Sequence, residues 1–267
     1  MTSAPVLDVR SLDTVLHTPD GRSLHVLHGV GLTIAAGECL GVVGESGSGK
    51  SVLARTVLGV ESRTTRAVAT GEVRLNGEDL LAATPARRAA LLGTGIAMVH
   101  QDPMTSLNPV VRIAEQVTES ITNRRRLSRR ERLRTAAELL AAVDVPDPAR
   151  RARAHPHELS GGLRQRAAIA LAVCCGPELL IADEPTTALD ALVRGRILDL
   201  FTALRAERGI ALLVVTHDLA VARRIGGTVA VMRAGRVVEL GPAERLLETP
   251  EHAFTAALVA AEPGARR

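Results

Sequence analysis

The sequence predicts an α/β fold built as a twisted sheet with crossover helices. Three observations carry that expectation. A short apolar run leads through a glycine loop into a helical pattern over residues 39–59. Residues 179–182 and 210–215 are dense apolar runs, as parallel strands buried on both faces require. Between these landmarks strand-like and helical segments alternate, which is how a sheet with crossover helices is written.

Taken in order, residues 6–9 and 31–34 read as strands, with the turn signal Pro19-Asp20-Gly21 between them. Residues 39–43 form a short strand, 44–50 a glycine loop, and 51–59 a helix. Residues 72–75 form another strand, closed by the turn Asn76-Gly77. Thr84 with Pro85 marks a helix start, where the missing proline N–H has no intrahelical partner to lose. Residues 96–99 are a strand that runs into Gln101, and from about 111 to 153 the pattern turns helical and rich in arginine, as an inserted subdomain would. The expected organisation is one domain over 1–267. Its α/β core lies at about 5–110 and 176–245, a helical subdomain at about 111–175, and a C-terminal helix and tail at 246–267.

With 267 residues, 46% hydrophobic and 23% charged, the chain can bury a sizeable core and needs neither a disordered nor a fibrous reading. No apolar run reaches the roughly 18 residues of a membrane-spanning helix, and the opening MTSAPVLDVR lacks the layout of a signal peptide. A cytosolic protein that reaches any membrane through a partner is therefore expected. Cys39, Cys174 and Cys175 lie in apolar stretches without metal-ligand spacing and are read as reduced core residues. Of 33 basic residues, 32 are arginine and one, Lys50, is lysine. A compact ammonium on a flexible stem differs from a planar guanidinium, so the single lysine marks a place where a point charge matters. Seven arginines fall in residues 124–134. That run fits a solvated helical face, a surface near anionic lipid headgroups, or a nucleic-acid contact, and no specific nucleic-acid partner is expected.

Gly44-Glu45-Ser46-Gly47-Ser48-Gly49-Lys50-Ser51 fits GxxxxGK[ST] in its strand-to-helix setting. Its glycines let backbone N–H groups turn inward around phosphates, the helix offers its positive end, and Lys50 neutralises the β and γ oxygens of a nucleotide. Ser51 is placed to ligate Mg²⁺. Leu179-Leu180-Ile181-Ala182-Asp183-Glu184 is an apolar strand that ends in two acids. Asp183 would hold Mg²⁺ through its water shell, and Glu184 would polarise the attacking water as general base. Leu159-Ser160-Gly161-Gly162-Leu163 opens a second helix with a capping hydroxyl and open backbone N–H groups, a second anion-receptive terminus in the same chain.

The stretch from Leu159 to Leu163 resembles the LSGGQ signature of ABC ATPases, with Leu163 in place of the usual glutamine. The resemblance spans roughly residues 5–262. It implies a P-loop NTPase ABC cassette: a mixed sheet around the nucleotide site, an N-terminal antiparallel β-region and an inserted α-helical subdomain. It also implies ATP and Mg²⁺ as cofactors and a head-to-tail dimer, of identical or paired different subunits, in which one signature closes on the partner's γ-phosphate. By the same resemblance Gln101 touches Mg²⁺ and the attacking water, Asp190 lies on the loop that crosses the dimer seam, and His217 is the switch histidine at the γ-phosphate.

The wording of Gly44 to Ser51, of Gln101-Asp102-Pro103-Met104-Thr105-Ser106-Leu107-Asn108-Pro109, of Ala182-Asp183-Glu184-Pro185-Thr186-Thr187-Ala188-Leu189-Asp190 and of Thr216-His217-Asp218-Leu219 resembles that of the ATPase subunits of dipeptide, oligopeptide and nickel importers. That implies permease subunits whose coupling helix docks near residues 102–109, a solute-binding protein in the same system, and a place on the cytoplasmic face of the membrane. The rival is a soluble ABC ATPase of DNA repair, chromosome organisation or translation, which usually carries two cassettes or a long coiled coil. Two departures stand out. Many relatives stack adenine on an upstream aromatic residue, whereas Leu16 or His17 stands there in a chain with no Trp or Tyr. The chain also ends 13 residues after Phe254 without a cysteine-bearing tail, somewhat more like the nickel-type members, so the cargo stays open between peptide and nickel.

Overall fold

The computed structural model describes residues 4–60, 66–102, 106–187 and 189–261. Residues 103–105 and 188 of the motif stretches, and the tail from 262, lie outside them. In chain order the elements begin β1 (Leu7–His17), β2 (Ser23–Ile34), β3 (Cys39–Val43), α1 (Lys50–Leu58), β4 (Arg66–Leu75), β5 (Glu78–Asp79), α2 (Pro85–Leu91) and β6 (Ile96–Val99). They continue with α3 (Ile113–Val117), α4 (Glu119–Thr122), α5 (Arg129–Ala141), α6 (Pro148–Arg151), α7 (Gly161–Val173), β7 (Leu179–Asp183) and α8 (Ala191–Arg208). The last are β8 (Ala211–Thr216), α9 (Leu219–Ile225), β9 (Thr228–Arg233), β10 (Arg236–Pro242), α10 (Ala243–Glu248) and α11 (Ala253–Ala260).

The chain forms two compact units, Met1–Ala89 with Phe201–Arg267, and Ala90–Leu200. In the first, an antiparallel sheet has the order β2-β1-β4-β5. β1 and β2 run from Leu7 opposite Ile34 to His17 opposite Ser23, around a turn in which Thr18 N–H donates to Arg22 carbonyl at 3.0 Å. The strands are far longer than the two short apolar segments predicted. Asn76 and Gly77, at φ 49° and 83°, make the tight hairpin between β4 and β5, the left-handed pair that Asn-Gly favours.

The second sheet of this unit is mixed: β3 lies between β8 and β9 and parallel to both, and β10 runs antiparallel to β9. All five residues of β3 and all six of β8 are buried, which is why both read as unbroken apolar runs. Val43, Val229 and Val231 of this sheet pack with Leu219 and Ala222 of α9, Leu246 and Leu247 of α10 and Phe254 of α11.

In the second unit β6 pairs in parallel with β7, and helices fill the stretch from Ile113 to Val173. α5 starts with a capping box: Glu131 N–H donates to Ser128 Oγ at 3.3 Å and Ser128 N–H donates to Glu131 Oε2 at 2.8 Å. Ala136 and Leu140 face its core, with Ile113, Val117, Val143 and Ile169. Arg166 of α7 is 8% exposed and donates to Val143 carbonyl at 2.6 Å, which ties α7 to the end of α5. Six of the seven arginines in 124–134 are exposed and Arg132 is half-buried.

The cysteines differ from expectation in one respect. Cys39 is core, and burial pushes its thiol up to about 12. Cys174 and Cys175 are only half-buried, because they fall at the C-terminal end of α7 where the helix leaves its packed face; all three are free thiols.

Candidate functional site

The loop after β3 is shaped by steric demands that only glycine meets. Gly44 has φ 154°, and a Cβ there would lie 2.2 Å from Met232 carbonyl oxygen. Gly49, at φ 103°, caps α1, and a Cβ on it would approach Leu27 Cδ2 at 3.0 Å and Val26 carbonyl oxygen at 3.2 Å. Lys50 is 6% exposed, and its Nζ donates to the carbonyls of Gly44 at 2.8 Å and Glu45 at 2.9 Å. The ammonium is thus drawn back over its own loop. Helix α1 has no acidic residue in its first turn and no side-chain cap, so no carboxylate of that turn offsets its positive N-terminal end. The backbone N–H of Ser48 donates to Glu45 carbonyl at 3.2 Å, and Ser48 Oγ is buried without a hydrogen-bond partner. A glycine-walled cradle, a buried cation and an uncapped helix start together suit a polyphosphate. Ser51 follows Lys50 in the first turn of α1.

The loop is braced from outside. Gly235 N–H donates to Ser48 carbonyl at 2.9 Å, and His28 N–H donates to Gly235 carbonyl at 2.9 Å. A Cβ on Gly235 would lie 2.1 Å from Val26 carbonyl oxygen. This brace was not foreseen, although Ala234-Gly235 between two apolar runs is a turn signal.

Parallel register brings His217 to the same sheet edge. Val43 lies opposite Thr216, so the chain leaves β3 at Gly44 and β8 at His217 side by side. His217 is exposed, and the next residue, Asp218, caps α9 by accepting from Ala220 N–H at 2.9 Å.

The second unit repeats that logic. Val99 pairs with Ala182, so Gln101 and the acids Asp183 and Glu184 emerge at one edge. Asp183 is 5% exposed at the end of β7, while Gln101 is exposed. Glu184 has φ 50°, a left-handed backbone that non-glycine residues seldom adopt and that concentrates at functional sites. Thr187 Oγ1 donates to Glu184 Oε2 at 2.7 Å, which fixes the carboxylate.

Ser160 caps α7, its Oγ accepting from Leu163 N–H at 3.4 Å, after a buried Leu159. A Cβ on Gly161 meets nothing within 4 Å, but one on Gly162 would lie 2.7 Å from Val193 Cγ1. Asp190, expected from the resemblance on a seam loop, is built into the same spot: its Oδ1 accepts from Val193 N–H at 2.9 Å and its carbonyl from Arg194 N–H at 2.8 Å, capping α8. Asn108 and Val111 are tied down by Gln116, which is 6% exposed; its Oε1 accepts from Asn108 N–H at 2.7 Å and its Nε2 donates to Val111 carbonyl at 2.7 Å. Gln116 was not singled out from the sequence; an amide in an apolar helical stretch was its only signal.

A glycine cradle around a buried lysine in the first unit, and in the second an apolar strand ending in two acids and a capped Ser-Gly-Gly helix, are the parts of an ABC-type ATPase. The ABC transporter family model matches residues 27–187. Over 98% of its length the chain is 44% identical to a protein of Brucella melitensis biotype 1 named as a peptide import ATP-binding protein, covering 79% of it. A protein of Sinorhizobium fredii named as a peptide ABC transporter ATP-binding protein is also 44% identical, with 98% of this chain and 78% of that one covered. Among solved structures, the dimeric bacterial ABC transporter cassette MJ0796 is 28% identical at TM-score 0.76, covering 89% of this chain and 98% of the cassette. A second structure of that cassette is a post-hydrolysis state bound to ADP and phosphate. The cbiO1 protein of Clostridium perfringens, part of the cbiONQ transporter complex, is 26% identical at TM-score 0.77, with 93% of each chain covered. The chain belongs to the ABC transporter family, as an ATP-binding, ATP-hydrolysing subunit. No helix among the described residues is long and apolar enough to cross a membrane.

Proposed function

We propose that this subunit energises the import of peptides, working as a head-to-tail pair in which the 44–51 loop of one copy and residues 159–163 of the other enclose a single ATP. The observation that carries the pairing is the presence in one chain of two separately built helix N-termini, α1 behind its glycine cradle and α7 behind Ser160, each suited to an anion. The names of relatives 44% identical over nearly the whole chain support a peptide cargo over nickel, and an importer over a soluble ABC ATPase.

In this reading Lys50 and the loop N–H groups hold the β- and γ-phosphates. Ser51 and Gln101 would offer oxygens to Mg²⁺ and Asp183 would hold it through its water shell; once bound, the ion would neutralise charge on those phosphates. Glu184 takes a proton from water as the water oxygen attacks γ-phosphorus; the bond to the β–γ bridging oxygen breaks, and ADP carries that electron pair away. His217 donates to a γ-phosphate oxygen. From the partner copy, Ser160, Gly161 and Gly162 close on the same group, and Asp190 lies at the seam. With Asn108 near its end held by Gln116, the stretch 102–109 receives the permease, which places the pair on the cytoplasmic face of the membrane; a solute-binding protein delivers cargo on the far side.

Glu184→Gln is expected to bind ATP, to form a dimer in ATP by light scattering, and to release phosphate at a rate reduced by about 10²-fold or more, the usual contribution of a general base. Wild-type turnover in that variant would remove Glu184 from this role, and a monomer under saturating ATP would sink the shared site.

A further inference from the structure

Asp13 on β1 and His25 and His28 on β2 bring a carboxylate oxygen and two imidazole nitrogens within 4.8 Å of one another. His25 Nε2 lies 2.9 Å from Asp13 Oδ1, and the two imidazole rings are 4.0 Å apart, tilted by 56°. A regular strand would not do this, because side chains three residues apart face opposite sides of a sheet. The register shows what intervenes. Leu12 pairs with Val30, Thr14 with Leu27 and Val15 with His25, so β2 carries one extra residue in each interval. An extra residue reverses the alternation and re-aims side chains. Gly29, at φ 60°, takes a left-handed backbone just after His28, in the interval between Leu27 and Val30.

None of the three side chains belongs to the nucleotide machinery described above, and His28 joins the brace of the loop only through its backbone N–H. All three are exposed or half-buried, so an ion can reach them from solvent. The donor set of two imidazoles and one carboxylate suits first-row transition cations and zinc; magnesium and calcium prefer oxygen alone. Metal–ligand bonds of about 2.1 Å place the ligand atoms of a tetrahedral site roughly 3.4 Å apart. Small rotations of the three side chains therefore close the set, and a fourth position is left to water.

We propose that Asp13, His25 and His28 form a binding site for a divalent transition cation of the Zn²⁺, Ni²⁺ or Co²⁺ class. The site lies on the bulged segment that braces the phosphate loop, since His28 N–H donates to Gly235, which in turn donates to Ser48. A second group, His155, His157 and Glu158, has comparable ligand spacing. There Glu158 Oε2 already accepts from His155 N–H at 2.6 Å and closes a turn, so that group serves as the internal control.

The test uses the full chain, stripped of metal and free of nucleotide, titrated with Co²⁺ while its visible absorption is followed, with Zn²⁺ as competitor. One equivalent of Co²⁺ is expected, displaced by Zn²⁺. Asp13→Asn, His25→Gln and His28→Gln should each weaken it at least about tenfold, because even outer-shell losses at metal sites cost that much. His155→Gln should leave it intact. Melting temperatures measured without metal separate a lost ligand from a lost fold, and Asp13→Asn, nearly isosteric, keeps the test open should a histidine variant unfold. No saturable binding, equal affinity in Asp13→Asn and wild type, or an equal loss in His155→Gln would overturn the proposal.

Discussion

Replacing Gly162 by alanine asks whether the signature helix is held against the helix that follows the seam loop. The added Cβ would sit 2.7 Å from Val193 Cγ1, whereas carbon atoms pack at about 3.5–4.0 Å, so the overlap is about 1 Å. Val193 cannot easily yield, since a β-branched side chain in a helix has essentially one χ1 rotamer and its own N–H is bound to Asp190. Overpacking of this kind costs about 1–3 kcal/mol, and alanine recovers up to about 1 kcal/mol over glycine in a helix. The net loss is therefore about 1 kcal/mol or somewhat more, which for a chain of this size lowers Tm by roughly 2–4 °C. Val193→Ala opens the space, so in the double variant the penalty should vanish and leave a coupling of about 1–2 kcal/mol in a thermal-unfolding cycle. Additivity of the two single changes to within about 0.5 kcal/mol would show that the contact does not constrain Gly162, and the reasoning would fail.

Lys50→Arg should weaken ATP binding about 10- to 100-fold in a fluorescent-nucleotide titration, since a planar fork cannot fill a site where Nζ meets two carbonyls at 2.8 and 2.9 Å; unchanged affinity would refute a point-charge role. Leu16, standing where an aromatic was expected, lines a cavity of about 340 Å³ with Val52, Arg55 and Thr56. With no aromatic ring in that wall, ATP should be preferred over GTP by less than roughly a hundredfold, far below what a hydrogen-bonding base pocket achieves; competition titrations decide. The His155 backbone N–H and then its side chain hold the Glu158 carboxyl below its ordinary value of 4.5. A depressed carboxylate stabilises the fold fully above its unfolded value, and that contribution is lost as pH falls through the folded value. The turn before Leu159 should therefore loosen below about pH 4.5, the ordinary Glu range, and Glu158→Gln should flatten that acid limb in an unfolding series; an unchanged limb would deny the link.

The shape of the 44–51 loop was legible because it is local: eight consecutive residues carry the turn, the charge and the helix start. Asn76-Gly77 and Thr84-Pro85 were legible for the same reason, and Arg87 N–H does donate to Thr84 Oγ1 at 3.2 Å. β1 and β2 were seen only at their outer ends, because the bulges near Leu12, Thr14 and Val15 break the period-two pattern on which a strand is recognised. The left-handed backbone of Glu184 and the contact of Gly162 with Val193 are tertiary facts. An Asp-Glu pair or a Ser-Gly-Gly opening does not say which neighbour imposes its conformation. The half-exposure of Cys174 and Cys175 was hidden for the same reason, since an apolar stretch does not reveal where its helix parts from the core.

Lys50 is the one lysine in the chain and is almost wholly covered by the loop that it spans. Its ε-amine is thus a single addressable side-chain amine at the proposed nucleotide site. An acylating reagent that ignores guanidinium groups would modify this side chain only when the cradle breathes open, and bound nucleotide would shield it. The extent of labelling at one peptide, read by mass spectrometry, becomes a direct gauge of occupancy on the unaltered protein, with no engineered probe.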